Sequence, residues 1–309
     1  MSKISVVVPC YNEQSTVESF YQAATPVLKS TGLEYEIIYV NDGSRDDTLK
    51  LLKGLAERDE KVKVLSFSRN FGQQAAILCG YRHATGDCVM EMDVDLQDPV
   101  ELIPEMVEKW KEGYDVVHGR RIKRKGETVF KKATAKLYYK FLDKISAVSI
   151  PRDTGDFKLY DKKVIEIITG MGEKNKYIRG LASWVGFKQT FVDFERKERS
   201  AGETKYTLKK MVALAKTGIL SNSAWPLSLS LKAGLFGVVS AMLCFVTFIV
   251  LACCQIVLPL TAWLFPTLAL GFGALALFNG ISNLYIEKIN AEVQNRPEYI
   301  VAEKINLER

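Results

Sequence analysis

The chain has 309 residues, 48% hydrophobic and 25% charged, with 42 Lys and Arg against 36 Asp and Glu for a net charge of +6. That balance excludes a disordered chain, a collagen and a small disulfide scaffold. One stretch argues against a purely soluble protein: the 54 residues from Ala233 to Ile286 hold no Asp, Glu, Lys or Arg, and a single membrane span needs only about 20 apolar residues.

In chain order, strand and helix signals alternate. Ile4–Val8 is a β-branched run ending at Pro9, and Val17–Leu28 has helical spacing. Tyr35–Val40 predicts a second strand, closed by the turn Asn41-Asp-Gly-Ser44. Asp46–Leu55 reads as a capped helix, Val62–Ser66 as a third strand and Gln73–Arg82 as a helix. Cys88–Met92 predicts a fourth strand leading into Asp93-Val-Asp95, then Glu101–Lys111 a helix and Asp115–His118 a fifth strand. Such alternation predicts an α/β fold with a mainly parallel sheet covered on both faces. Ligands of these sheets bind beyond the carboxyl ends of the strands. Pro9–Glu13, Asn41–Ser44 and Asp93–Gln97 all fall at such ends.

The second half changes character. Residues 120–144 carry ten basic and two acidic residues, and Phe130, Leu137, Phe141 and Ile145 recur among the lysines at helical spacing. This basic segment, taken as 120–148, predicts a helix on an anionic membrane surface; a solvated face of a core-packed helix is the plainer alternative. Tyr177–Phe187 is apolar, Gln189–Phe194 is strand-like, and Arg196–Lys205 is a polar loop. A cytosolic domain is expected over 1–206, an amphipathic juxtamembrane helix over 207–228, two transmembrane helices over 229–286, and a cytosolic tail over 287–309. Lys205, Lys209, Lys210 and Lys216 precede the first span and Lys288, Arg296, Lys304 and Arg309 follow the second, while the connection has no Lys or Arg. By the positive-inside rule both ends are cytosolic. The segment Met1–Pro9 has no signal-peptide pattern. The six cysteines, Cys10, Cys79, Cys88, Cys244, Cys253 and Cys254, show no C-x-x-C spacing and read as small buried thiols of a reducing compartment.

Three clusters could carry chemistry. Asp93 and Asp95, with Gln97 beyond them, can face one hard cation and the phosphates it holds, because magnesium and manganese prefer oxygen ligands and leave positions for water and substrate. In Pro9-Cys-Tyr-Asn-Glu13, Tyr11 can stack on a base while Asn12 and Glu13 bond base or ribose edges. Asp42 can take a uracil imide or a ribose hydroxyl. Solvated loop acids, a helix cap and a plain turn are the respective alternatives. Their convergence on one sheet edge favours a nucleotide-diphosphate site. Neither G-x-G-x-x-G after the first strand nor a P-loop is present. His83 and His118 are the two histidines, and both read as structural.

Val6–Glu13, Val40–Ser44, Ser68-Arg-Asn-Phe-Gly72 and Met92–Pro99 resemble the inverting family 2 glycosyltransferases of GT-A fold. Thr154-Gly-Asp-Phe157, Arg199–Tyr206 and the two apolar spans are similar to the polyprenyl-phosphate branch, which includes dolichyl-phosphate mannose synthases and bactoprenol glucosyltransferases. The resemblance covers nearly the whole chain; Thr204 departs from the serine often found there. It implies that Pro9, Tyr11, Glu13 and Asp42 hold the nucleoside, and that Asp93, Asp95 and Gln97 hold a divalent metal, Mg2+ or Mn2+, with the diphosphate. It further implies that Asp156 is the base or orienter near the acceptor, and that Arg199 and Lys205 clamp phosphates from a mobile loop.

The expected reaction is transfer of a hexose, glucose from UDP-glucose, to undecaprenyl phosphate at the cytosolic face of a bacterial plasma membrane. GDP-mannose or a UDP-amino sugar as donor is the alternative, with a lipid-linked sugar carrier or a non-catalytic membrane adaptor ranked below. The expected partners are the nucleotide sugar, the polyprenyl phosphate and the bilayer. Nucleic acid is not among them, and homo-oligomerisation stays open.

Overall fold

The structure, a computed structural model, describes residues 2–123, 154–173, 176, 178–195, 260–307 and scattered positions between 236 and 253. Its centre is an eight-stranded sheet of order β7-β5-β6-β4-β1-β2-β3-β8. The first strands are β1 (Lys3–Cys10), β2 (Glu34–Asn41), β3 (Val62–Phe67) and β4 (Cys88–Glu91). β1 pairs in parallel with both β2 and β4, and β2 with β3. The helices between them are α1 (Val17–Ser30), α2 (Thr48–Arg58) and α3 (Gln73–His83), and α4 (Ile103–Lys111) follows β4 through a 3₁₀ turn at Val100–Leu102.

The apolar runs in these strands are continuous because both faces are buried. Val6 and Val8 of β1 and Tyr39 of β2 pack with Phe20 of α1, Leu52 of α2 and Met106 of α4. From the other face Val7 packs with Ile77 and Tyr81 of α3, and Ile38 and Val40 pack with Ala76 and Cys79. Each fully buried aliphatic side chain contributes about 1.5–3 kcal/mol, so this two-sided packing holds the strand ends in place. Helix α1 buries Val17, Phe20, Ala24 and Leu28, one stripe at helical spacing.

Beyond β4 the sheet departs from the simple alternation. β5 (Val116–Lys123) does not lie next to β4. β6 (Thr154–Asp161) is inserted between them and pairs antiparallel with both. β7 (Gln189–Glu195) then adds in parallel to β5. Helices α5 (Lys162–Gly170) and α6 (Ile178–Trp184) cover this side, through Val164, Ile165, Ile168, Ile178 and Ala182.

The other edge is closed from far along the chain. β8 (Val301–Ile305) pairs antiparallel with β3. Tyr299 stacks on Phe67 with ring centroids 5.1 Å apart, Arg82 pairs with Glu298, and the Asn306 side-chain amide donates to the carbonyls of Ala56 and Val62. Pro297–Arg309 therefore belong to the same compact unit as the N-terminal residues. A domain boundary at residue 206 does not include this strand.

The second compact unit comprises 145–147 and 216–296. Its described part includes helix α7 (Leu260–Gln294), with Leu264, Leu268, Phe272 and Leu275 exposed. Among the described residues no helix is long and apolar enough to cross a membrane. The expected juxtamembrane helix over 207–228, most of the first expected span and residues 124–148 of the basic segment lie outside the described residues. The start of that segment is strand, and its first two arginines are paired: Arg120 with Asp193 and Arg121 with Asp98. Cys10, Cys79 and Cys88 are buried free thiols, as expected, whereas Cys253 is exposed.

Candidate active site

The strand order reverses at β1: the chain steps from β1 to β2 to β3, then returns to place β4 on the other side of β1. A crevice forms at such a switch point beyond the strands' carboxyl ends. Pro9 and Cys10 end β1 there, Tyr11–Glu13 follow them, and Asp93–Gln97 follow β4 there. β6 runs the other way, with Glu91 opposite Lys158, so its amino-terminal residues, including Asp156, reach the same edge.

The β1 and β2 exits are stitched together. Asn12, at φ +53°, has its N–H on Ser44 Oγ at 3.0 Å, and its side-chain oxygen accepts from the Arg45 N–H at 2.9 Å. The Glu13 N–H donates to Thr48 Oγ1 at 2.8 Å, and Thr16 Oγ1 donates to the Glu13 carboxylate at 3.0 Å. Asn12 thus shapes the loop that Tyr11 and Glu13 stand on.

Asp42 is buried and organises a second loop. Its Oδ1 accepts from the Phe71 N–H at 2.6 Å, and its Oδ2 from the Gly72 N–H at 3.0 Å and the Asn70 amide at 2.8 Å. Burial raises its pKa, and those N–H groups and the Arg69 charge oppose the shift only in part. The neighbouring Gly43 has φ +64°, and a Cβ there would lie 2.3 Å from the Arg69 carbonyl carbon. The two loops approach that closely because this position is glycine.

Near the β4 exit, Gln73 opens α3 directly after this loop. Its amide nitrogen lies 3.0 Å from Asp93 Oδ1 and 3.5 Å from Asp156 Oδ2. Asp95 Oδ1 accepts the Gln97 N–H at 3.1 Å, folding Asp95–Gln97 into a tight turn with Leu96 at φ +56°. Asp98, fully buried behind it, meets Arg121 at 3.4 Å.

Beneath lies a buried polar row. Tyr81 donates its hydroxyl to Glu91, whose carboxyl is pushed well above the usual range by burial and by the charge of Asp156, with Lys158 opposing. Burial and Lys158 hold His118 down at about 4, while its bond to Gln189 at 2.8 Å works the other way. His118 is therefore neutral near pH 7, and His83 bonds the Cys79 carbonyl at 2.9 Å; both histidines are structural, as the sequence suggests.

The donor set suits a hard divalent ion that arrives with its substrate. Among the described residues no group of three or more His, Cys, Asp or Glu could hold a metal. Asp93 and Asp95 offer two carboxylates, and magnesium-type sites commonly use one or two together with substrate phosphates. Of the residues named from sequence, the structure brings Asp93 and Asp156 together through Gln73 and sets Pro9, Tyr11, Asn12, Glu13, Asp42, Asp95 and Gln97 around the same sheet edge. Arg199 and Lys205 lie outside the described residues. Sequence reasoning missed Gln73 as a site residue; its signal is its place at the first turn of α3, next to Ser68–Gly72.

Residues 5–168 match the model of glycosyl transferase family 2. The chain belongs to glycosyl transferase family 2. It is a glycosyltransferase of GT-A fold. An uncharacterized glycosyltransferase of Bacillus subtilis, YkcC, is 45% identical over 98% of this chain and 94% of its own length. The prophage-derived bactoprenol glucosyl transferase of Shigella flexneri is 38% identical, over 97% of each chain. Among solved structures, a mycobacterial protein superposes with a TM-score of 0.50 at 19% identity, covering 70% of this chain and 72% of that one.

Proposed function

We propose that this enzyme transfers glucose from UDP-glucose to undecaprenyl phosphate, inverting the anomeric carbon, at the cytosolic face of a bacterial plasma membrane. The observation that carries the reading is the Gln73 amide spanning Asp93 and Asp156, which supports reading the two acids as the donor-side and acceptor-side members of one site. The near full-length similarity to bactoprenol glucosyl transferases at 38% identity supports the lipid acceptor and the glucosyl donor. The uncharged run Ala233–Ile286, with lysines and arginines on both flanks, supports a two-span anchor that keeps both termini cytosolic.

In this reading Pro9, Tyr11, Asn12, Glu13 and the Asp42 turn receive the nucleoside. Asp93, Asp95 and Gln97 hold Mg2+ or Mn2+ on the diphosphate. That ion would offset the charge developing on the leaving UDP. The acceptor is a phosphate monoester whose second pKa is about 6, so it is largely dianionic near neutral pH. An acceptor oxygen bonds to the anomeric carbon as the bond from that carbon to the diphosphate oxygen breaks. No proton has to leave the acceptor first, so the work of Asp156 is orientation. Arg199 and Lys205 would close over the two anionic substrates, offsetting their repulsion and excluding water.

The test is incubation of purified protein with undecaprenyl phosphate, a divalent cation and a panel of radiolabelled UDP- and GDP-sugars. Label in the organic phase from UDP-glucose is the expected result. Label only from GDP-mannose or a UDP-amino sugar would overturn the donor and keep the mechanism. No label from any donor, with nucleotide binding intact, would overturn the acceptor.

A further inference from the structure

We propose that Gln73 is a positioning residue that fixes the Asp93 and Asp156 carboxylates relative to each other and so couples the donor half of the site to the acceptor half. The inference rests on the roles proposed above for those two acids. A side-chain amide carries two N–H donors. One can serve each carboxylate, at the observed 3.0 and 3.5 Å. The reversed amide would turn its oxygen toward two carboxylates, so the nitrogen-inward orientation is the one the chemistry allows. A neutral donor suits this place: it holds two like charges near each other without adding a positive charge that would repel a divalent cation at Asp93.

Gln73 is itself held. It follows Gly72, which at φ +101° turns the chain into α3. The Gly72 and Phe71 N–H groups are bound by Asp42. Its neighbour Gln74 accepts the Ile178 N–H at 3.2 Å, tying α3 to α6. A continuous path therefore runs from the nucleoside side, Asp42, through the Ser68–Gly72 loop to Gln73, and from Gln73 to both reacting-side acids. Support of this kind typically changes metal affinity or activity about 10- to 100-fold when it is lost.

The experiment uses the full-length protein with Gln73→Met, which keeps the chain length and removes both N–H groups, and Gln73→Glu, which puts a third carboxylate there. UDP affinity is measured by calorimetry with and without Mn2+, alongside the thermal midpoint and the transfer kcat. The expected result is unchanged metal-free UDP affinity and midpoint, with the Mn2+-dependent gain in UDP affinity and kcat both reduced about 10- to 100-fold, more for Glu than for Met. If both variants keep the gain and kcat, the proposal is wrong. Metal-free affinity and midpoint falling in step with kcat would show a general structural role and also overturn it. A wild-type protein with no Mn2+-dependent gain would remove the metal reading of Asp93 first, and this proposal with it.

Discussion

At the amino-terminal end of the central strands, Glu36 of β2 lies buried between Lys3 of β1 and Lys63 of β3, at 2.8 and 2.6 Å. Burial pushes its carboxyl up, but the bonds from Lys3, Lys63 and Ser5 outweigh that and hold it down at about 2. At the carboxyl end of the same strand, Asp42 is equally buried yet is met by backbone N–H groups and an asparagine amide, and its pKa is raised. Asp93 receives a glutamine amide. The first arrangement spends the carboxylate's charge on the protein's own lysines. The second fixes the carboxylates with neutral donors, which leaves the Asp93 charge for a cation and, through it, for a diphosphate. One end of the sheet is built for stability and the other for binding.

The contrast can be broken at either end. The largest effect is expected from Asp156→Asn: transfer falls about 1,000-fold while UDP affinity stays near wild type; loss of both together in a calorimetric and kinetic comparison would contradict the orienting role. Next is Glu36→Gln, which leaves two lysines facing a neutral group and costs about 3 kcal/mol of folding stability, with KM for the donor unchanged. Its pH dependence has a definite sign. The folded pKa lies below the ordinary 4.5, so the stabilisation is complete above 4.5 and is lost as pH falls through about 2. Denaturation curves of wild type and variant should therefore converge on acidification, and a gap that persists below that range would remove Glu36 as its source.

Smaller effects sharpen the comparison. Asp95→Asn should weaken Mn2+-supported UDP binding about tenfold or more without moving the thermal midpoint, and unchanged metal dependence would take Asp95 out of the site. Asn306→Ala removes the amide that reaches the carbonyls of Ala56 and Val62. It should cost about 1 kcal/mol and speed hydrogen exchange along β8 and β3 first; a uniform change across the sheet would show that β8 unfolds only with the whole domain.

The fold's first half was legible in the sequence because its strands bury both faces and so appear as unbroken apolar runs between amphipathic helices. β6 was hidden for the opposite reason. Asp156 and Lys158 are buried polar residues inside the strand, and they mask the apolar pattern of Phe157 and Leu159. β8 alternates half-buried and exposed residues at a sheet edge, a pattern too weak to read without its partner β3. In the site, the acids at strand ends stood out because strand exits are few and carboxylates there are conspicuous. Gln73 did not, since a glutamine at a helix start has no pattern of its own; only the folded chain brings it to residues 20 and 83 positions away. Asp42 was legible as a candidate site residue, but its grip on Ser68–Gly72 depends on a loop approach that only the Gly43 geometry reveals.

The most direct test of the account is a parallel transfer assay of wild type and Asp156→Asn with UDP-[14C]glucose, undecaprenyl phosphate and Mn2+, read as label in the organic phase. The account predicts labelled lipid from wild type and background from the variant, with both proteins binding UDP alike. Equal label from the two would contradict the claim that Asp156 orients the acceptor for transfer.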